Sequence, residues 1–205
     1  MALLIKICGV TTAEDAAMAV EAGAGAIGVN LWPGSKRHVG LQAAAAVLAA
    51  VPPGVQKVGV FVNAPAVEIA RAFDELGLDR AQLHGDEQAA DYTDLNRGRL
   101  VKAVRVRDEA SITAAAGWNP GMWLYDAFVE GFGGGGVAAP WPVIARAARR
   151  PFLLAGGLTP DNVAAAIRAT HPDGVDVASG VESRPGVKDP TKLAAFVAAA
   201  RAAML

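Results

Sequence analysis

The sequence holds a single cysteine, Cys8, among 205 residues. An intrachain disulfide is therefore excluded, and a reducing compartment is the simpler setting. Its three histidines, His38, His84 and His171, lack the paired spacing of a metal site, so no metal is expected. The net charge is only −1, which draws the chain to neither nucleic acid nor an anionic membrane, and neither partner is expected. No apolar run is long enough to cross a bilayer. The start, Met1-Ala-Leu-Leu-Ile-Lys6, lacks the charged region and cleavage site of a secretory signal. No Gly-x-Gly-x-x-Gly follows the first apolar run, which disfavours a dinucleotide fold. These absences together read as a soluble, cytoplasmic protein.

What is present is a rhythm. Short apolar runs begin near Leu3, Ala26, Lys57, Arg80, Leu100, Met122, Phe152 and Gly174, at steps of 20 to 31 residues. Strands buried on both faces, as in a parallel sheet, read as such unbroken runs. Alanine-rich stretches lie between them, among them 13–22, 41–50, 66–76, 163–170 and, at the end, 190–203. Thr12-Ala-Glu-Asp15 has the spacing of a capping box, and Thr159-Pro160 that of a cap followed by a first-turn proline. Eight strands alternating with eight helices predict one (β/α)8 barrel over residues 1–205, since closure removes both sheet edges. An open doubly wound sheet is the alternative, because a count of units cannot show closure.

Polar and glycine residues gather where these strands should end, the end at which such barrels carry their active sites. Cys8-Gly9 ends the first, Asn30 follows the second, Asn63 the third and Gln82-Leu-His84-Gly85 the fourth. Asp126 ends the sixth, Gly156-Gly157 the seventh, and Asp176-Val-Ala-Ser179-Gly180 the eighth. Plainer readings exist for each. A lone cysteine is commonly a small buried hydrophobe, a loop aspartate commonly caps a turn, and Gln82 and His84 can satisfy one another inside the barrel. Lys36, Arg37 and His38 can be a solvated loop, and the four tryptophans packing residues. Gly156-Gly157 and Ser179-Gly180 carry more weight as a pair, because phosphate in these barrels often sits in the loops after strands seven and eight.

Taken in order, Lys6-Ile-Cys-Gly-Val-Thr11, Ser35-Lys-Arg37, Val58-Gly-Val-Phe-Val-Asn63, Gln82-Leu-His-Gly-Asp86, Ala155-Gly-Gly-Leu158, Val175-Asp-Val-Ala-Ser-Gly-Val-Glu182 and Pro185-Gly-Val-Lys-Asp189 resemble the phosphoribosylanthranilate isomerase family of tryptophan biosynthesis. The resemblance spans nearly the whole chain. It implies a cofactor-free aldose–ketose isomerase that converts N-(5-phosphoribosyl)anthranilate to 1-(2-carboxyphenylamino)-1-deoxyribulose 5-phosphate. It also implies that Cys8 is the general base, Asp126 the general acid and Arg37 the partner of the anthranilate carboxylate. His84 and Asp176 would bind the rest of the substrate, and Gly156, Gly157, Ser179 and Gly180 the phosphate.

The implied chemistry suits these residue types. An acid protonates the furanose oxygen and opens the ring, and a base then removes the C2 proton, so the two groups must start in opposite protonation states. A thiolate serves as base where nearby positive charge favours it. Three segments depart from the family pattern: Gly28-Val-Asn-Leu31, the run 133–140 after strand six, and Ala178 in place of a serine. The glycine-rich 131–136 segment is expected to close over the substrate. A monomer or homodimer is expected. A related phosphosugar isomerase or epimerase barrel, or a non-catalytic phospholigand-binding barrel, is the other reading.

Overall fold

The computed structural model describes residues 3–128 and 139–204. The apolar runs form eight parallel strands that close into a barrel in chain order. They are β1 (Leu4–Cys8), β2 (Ala26–Asn30), β3 (Gln56–Phe61), β4 (Arg80–Leu83), β5 (Leu100–Val106), β6 (Met122–Ala127), β7 (Phe152–Leu154) and β8 (Gly174–Val177). The ring is sealed where β8 returns to β1, from Leu4 opposite Gly174 to Ile7 opposite Val177. This settles the choice between an open and a closed sheet.

Outside lie seven α-helices among the described residues: α1 (Ala13–Ala22), α2 (Leu41–Ala49), α3 (Ala66–Leu76), α4 (Glu109–Ala114), α5 (Trp141–Ala147), α6 (Val163–Thr170) and α7 (Pro190–Ala202). The expected alternation of eight helices fails between β4 and β5. That step is the shortest in the sequence, and it holds only the 3₁₀ turns Ala89–Tyr92 and Arg97–Arg99. In place of a helix, Tyr92 packs its ring on Trp118 at 5.8 Å and covers the wall there.

Among the described helices, α1, α4 and α7 begin on a side-chain cap. The Thr12 hydroxyl accepts from the Asp15 amide, but the Asp15 carboxylate accepts from the Lys188 amide rather than completing the box. Asp189 caps α7 by accepting from Thr191 and Lys192. Helix α6 begins later than the Thr159-Pro160 pattern suggests, at Val163. There Asn162 bridges the loop, accepting from the Thr159 amide at 2.8 Å and donating to the Gly157 carbonyl at 2.9 Å.

Alternation along each strand sends neighbouring side chains to opposite faces. The inward set includes Val101, Ala103, Met122, Leu124, Leu153 and Ala155, which fill the barrel's floor. The outward set, with Ile5, Ile7, Tyr125, Phe152 and Leu154, packs under the helices. A hairpin not expected from the sequence, β9 (Glu182–Arg184) with β10 (Val187–Lys188), follows β8 and folds back toward the mouth. No helix among the described residues is long and apolar enough to cross a membrane.

Candidate active site

Strand β1 places Lys6 and Cys8 on one face, two residues apart. Lys6 stands opposite Asp176 in the register of β8, and its ammonium meets the Asp176 carboxylate at 2.8 Å, with 1% and 9% of the two side chains exposed. Cys8 lies opposite Gly28 of β2. A Cβ on Gly28 would stand 3.0 Å from Cys8 Sγ and 3.1 Å from Lys6 Nζ, so the glycine gives both groups their room.

The charges around Cys8 oppose one another. Burial pushes its thiol above the ordinary value and the Asp176 carboxylate adds to this, while Lys6 and then Lys188 pull it down without prevailing. The expectation of a thiol lowered by positive charge is therefore not met in the ligand-free protein. Burial pulls the Lys6 ammonium down, but Asp176 and Cys8 outweigh it and hold it above its usual range.

Asp126 ends β6, and its Oδ2 lies 3.2 Å from His84 Nε2, just past β4. Strands β4 and β6 are not neighbours in the sheet, so this contact crosses the barrel interior. Asp126 Oδ1 accepts from the Ala127 amide at 2.8 Å. The other ring nitrogen of His84 is 2.9 Å from the Gln82 amide nitrogen, so the two side chains share one hydrogen bond, while Gln82 Oε1 and His84 Nε2 are left without one among the described residues. Gly156 has φ of +85°, and a Cβ there would come within 2.9 Å of Asp126 Oδ1 and 2.5 Å of the Ala127 nitrogen. Only glycine lets the β7 loop run this close to Asp126.

Arg37 is half-buried between exposed Lys36 and His38. Its Nε and Nη2 donate to the two carboxylate oxygens of Glu182 at 2.8 and 2.7 Å. That edge of the guanidinium is taken, which leaves the outer edge through Nη1 for a ligand carboxylate. Burial pushes the Glu182 carboxyl up, but Arg37 and Lys188 outweigh it and hold the group below its usual range. Lys188 also donates to the carbonyls of Cys8 at 2.7 Å and Ala178 at 3.3 Å. It thereby ties the ends of β1 and β8 to the hairpin. Asn30 is turned into its own loop, where Oδ1 accepts from the Trp32 amide at 3.0 Å.

The loops after β7 and β8 touch. Gly157 has φ of +62°, and a Cβ on Gly180 would meet the Leu158 carbonyl at 1.9 Å. Gly157, Ser179 and Gly180 therefore meet where the two loops join, and Ser179–Val181 makes a 3₁₀ turn there. Their pattern suits an anion. The 131–136 segment, expected to cover the substrate, lies outside the described residues.

The structure thus gathers Cys8, Asp126, His84, Asp176 and Arg37 at the end of the barrel where the glycine loops open. Sequence reasoning missed Lys6, Gln82, Glu182 and Lys188 as members of the site. A two-residue offset from Cys8 and from His84 was the available signal for the first two, because it puts them on the same strand face.

A sequence profile for N-(5'-phosphoribosyl)anthranilate (PRA) isomerase matches residues 5–199. The N-(5'-phosphoribosyl)anthranilate isomerase of Pseudomonas fluorescens is 48% identical over 200 residues, covering 96% of this chain and 94% of its own. That of Magnetococcus marinus is 46% identical over 205 residues, covering 99% and 97%. Among solved structures, phosphoribosyl anthranilate isomerase from Thermotoga maritima matches with a TM-score of 0.90 at 35% identity, over 98% of this chain and 100% of that one. A phosphoribosyl anthranilate isomerase in complex with reduced 1-(o-carboxyphenylamino)-1-deoxyribulose 5-phosphate matches with a TM-score of 0.86 at 34% identity, over 98% and 100%.

Proposed function

Because this chain belongs to the N-(5'-phosphoribosyl)anthranilate isomerase family and is an aldose–ketose isomerase of that kind, we propose that Cys8 and Asp126 are the base and acid of its Amadori rearrangement. The observation that carries the assignment is the convergence on the barrel interior. Asp126 reaches across it to His84, and Cys8 shares a face with Lys6, which pairs with Asp176.

In this reading Asp126, as the acid, delivers a proton to the furanose oxygen. The C1–O bond breaks, and the nitrogen lone pair forms a cationic C1=N imine. Cys8 thiolate then takes the C2 proton, and the C2–H electrons form an enolamine that tautomerises to the ketone. Burial and then Asp176 push the Cys8 thiol up, so its proton passes to solvent in the complex before the thiolate takes the one at C2. The cationic imine supplies positive charge beside Asp176 and Cys8 at the step that needs the thiolate.

Arg37 holds the anthranilate carboxylate through its outer edge. Asp176 accepts from the substrate's nitrogen or hydroxyls, while Lys6 fixes its other side. Gly156 and Gly157, with Ser179 and Gly180, receive the phosphate on backbone N–H groups. The enzyme works in the cytoplasm, as a monomer or homodimer. Turnover of N-(5'-phosphoribosyl)anthranilate by the purified protein, followed as loss of the substrate's fluorescence, tests the reading, and Cys8→Ser and Asp126→Asn should both abolish most of it. Turnover that persists at the wild-type rate in both variants would overturn it.

A further inference from the structure

Gln82 presents a puzzle. It sits on the inward face of β4 at 1% exposure, in a barrel otherwise floored with apolar side chains. Its amide nitrogen reaches His84 Nδ1 at 2.9 Å, yet its Oε1 is buried without a partner among the described residues. An orphaned buried amide oxygen lowers stability. A leucine of similar volume would fill this floor without that cost, so stability alone does not account for Gln82.

The geometry around His84 supplies a reason. An amide N–H donated to Nδ1 would make that nitrogen an acceptor and place the ring's proton on Nε2. Nε2 faces Asp126 Oδ2 at 3.2 Å across the barrel. The approach is close but not aligned as a finished hydrogen bond, since Nε2 also counts as unpartnered. Catalytic contacts in ligand-free sites are often loose in this way and tighten with substrate.

We infer that His84 is a positioning residue for the general acid, with Gln82 fixing its ring so that Nε2–H supports the Asp126 carboxylate. This rests on the reading of Asp126 as the acid. When Asp126 gives its proton to the furanose oxygen, a carboxylate appears in a largely closed site. Oδ1 is already held by the Ala127 amide. The His84 N–H then holds Oδ2, so both oxygens of the new anion are met by donors. His84 touches the acid and works through it. That differs from the substrate-binding role suggested by the family resemblance, and the two roles have different kinetic signatures. A binding residue changes KM, whereas a group acting only on the departing proton changes kcat.

The test uses the full-length protein with N-(5'-phosphoribosyl)anthranilate as substrate. His84→Ala should lower kcat by roughly 10- to 100-fold, the usual cost of losing a group that orients another, with KM changed much less. His84→Asn, whose amide can still donate toward Asp126, should recover part of that loss. Gln82→Leu satisfies the apolar floor and should fold normally, yet lower kcat in the same direction. Ring ¹⁵N shifts should show the Nε2–H form in the wild type and a mixture in Gln82→Leu. Adding His84→Ala to Asp126→Asn should cost little beyond Asp126→Asn alone, because residues that act as one unit are not additive. A rise in KM at constant kcat would overturn the inference, as would additive losses in the double variant or an Nδ1–H ring in the wild type. Wild-type kcat in Asp126→Asn would instead remove the acid assignment itself.

Discussion

Arg37 grips Glu182 with two parallel hydrogen bonds, 2.8 Å from Nε and 2.7 Å from Nη2. A Cβ on Gly9 would come 2.3 Å from Arg37 Cδ, so the arginine lies directly across the end of β1. Glu182 therefore aims the guanidinium rather than neutralising a stray charge. Charge-assisted hydrogen bonds are worth about 1.5–3 kcal/mol. Arg37→Lys, which cannot fork, should raise KM for the anthranilate-bearing substrate by roughly 10- to 100-fold on that scale and leave inorganic phosphate binding unchanged. Glu182→Gln should produce a smaller rise in the same constant. Equal weakening of both ligands, followed by calorimetric titration, would mean that Arg37 serves the phosphate or the fold.

The thiol of Cys8 is raised first by burial and second by Asp176, against Lys6 and Lys188. The signs predict the response to each neighbour. Asp176→Asn removes a negative charge and should move thiol ionisation to lower pH, whereas Lys6→Met removes a positive one and should move it higher. Thiolate absorbance in the ultraviolet reads both shifts without turnover. In the wild type, alkylation of Cys8 should be slower than that of a free cysteine at the same pH. Faster alkylation, or shifts of the opposite sign, would show that the network does not set the thiol.

The phosphate assignment rests on backbone, so it is tested by glycine. Gly180→Ala would put a methyl group against the Leu158 carbonyl at 1.9 Å and must push the two loops apart. Gly157→Ala would hold an L-residue at φ of +62°, a strain of about 1–2 kcal/mol. Both should raise KM and weaken inorganic phosphate binding, with Gly180→Ala the stronger. In the wild type, phosphate titration should move the amide resonances of Gly157, Ser179 and Gly180 together. Movement elsewhere, with these three still, would place the anion at another site.

Much of this architecture was readable because parallel strands buried on both faces leave unbroken apolar runs. The first residues of β2, β4, β5, β6, β7 and β8 fall where those runs begin. The helix missing between β4 and β5 was not legible in chain length, since the shorter β5–β6 connection holds α4, and the Thr159-Pro160 pattern misled because Asn162 closes the loop from the other side. Cys8 and Asp126 stood out as polar residues at the ends of apolar runs. Their surroundings did not, because Glu182 meets Arg37 across 145 positions of sequence and Asp176 meets Lys6 across 170. Such pairs exist only once the barrel closes. For the same reason the direction of the Cys8 shift, a balance between burial and three charges, was beyond a reading of residues in order.

The central claim is that Cys8 and Asp126 are the base and acid. The most direct measurement is kcat for Cys8→Ser and Asp126→Asn with N-(5'-phosphoribosyl)anthranilate, in protein shown to be folded by its melting temperature. Each substitution should lower kcat by roughly 10²–10⁴-fold, the usual range for acid–base groups, with a smaller change in KM. A kcat near wild type in either variant would contradict the assignment.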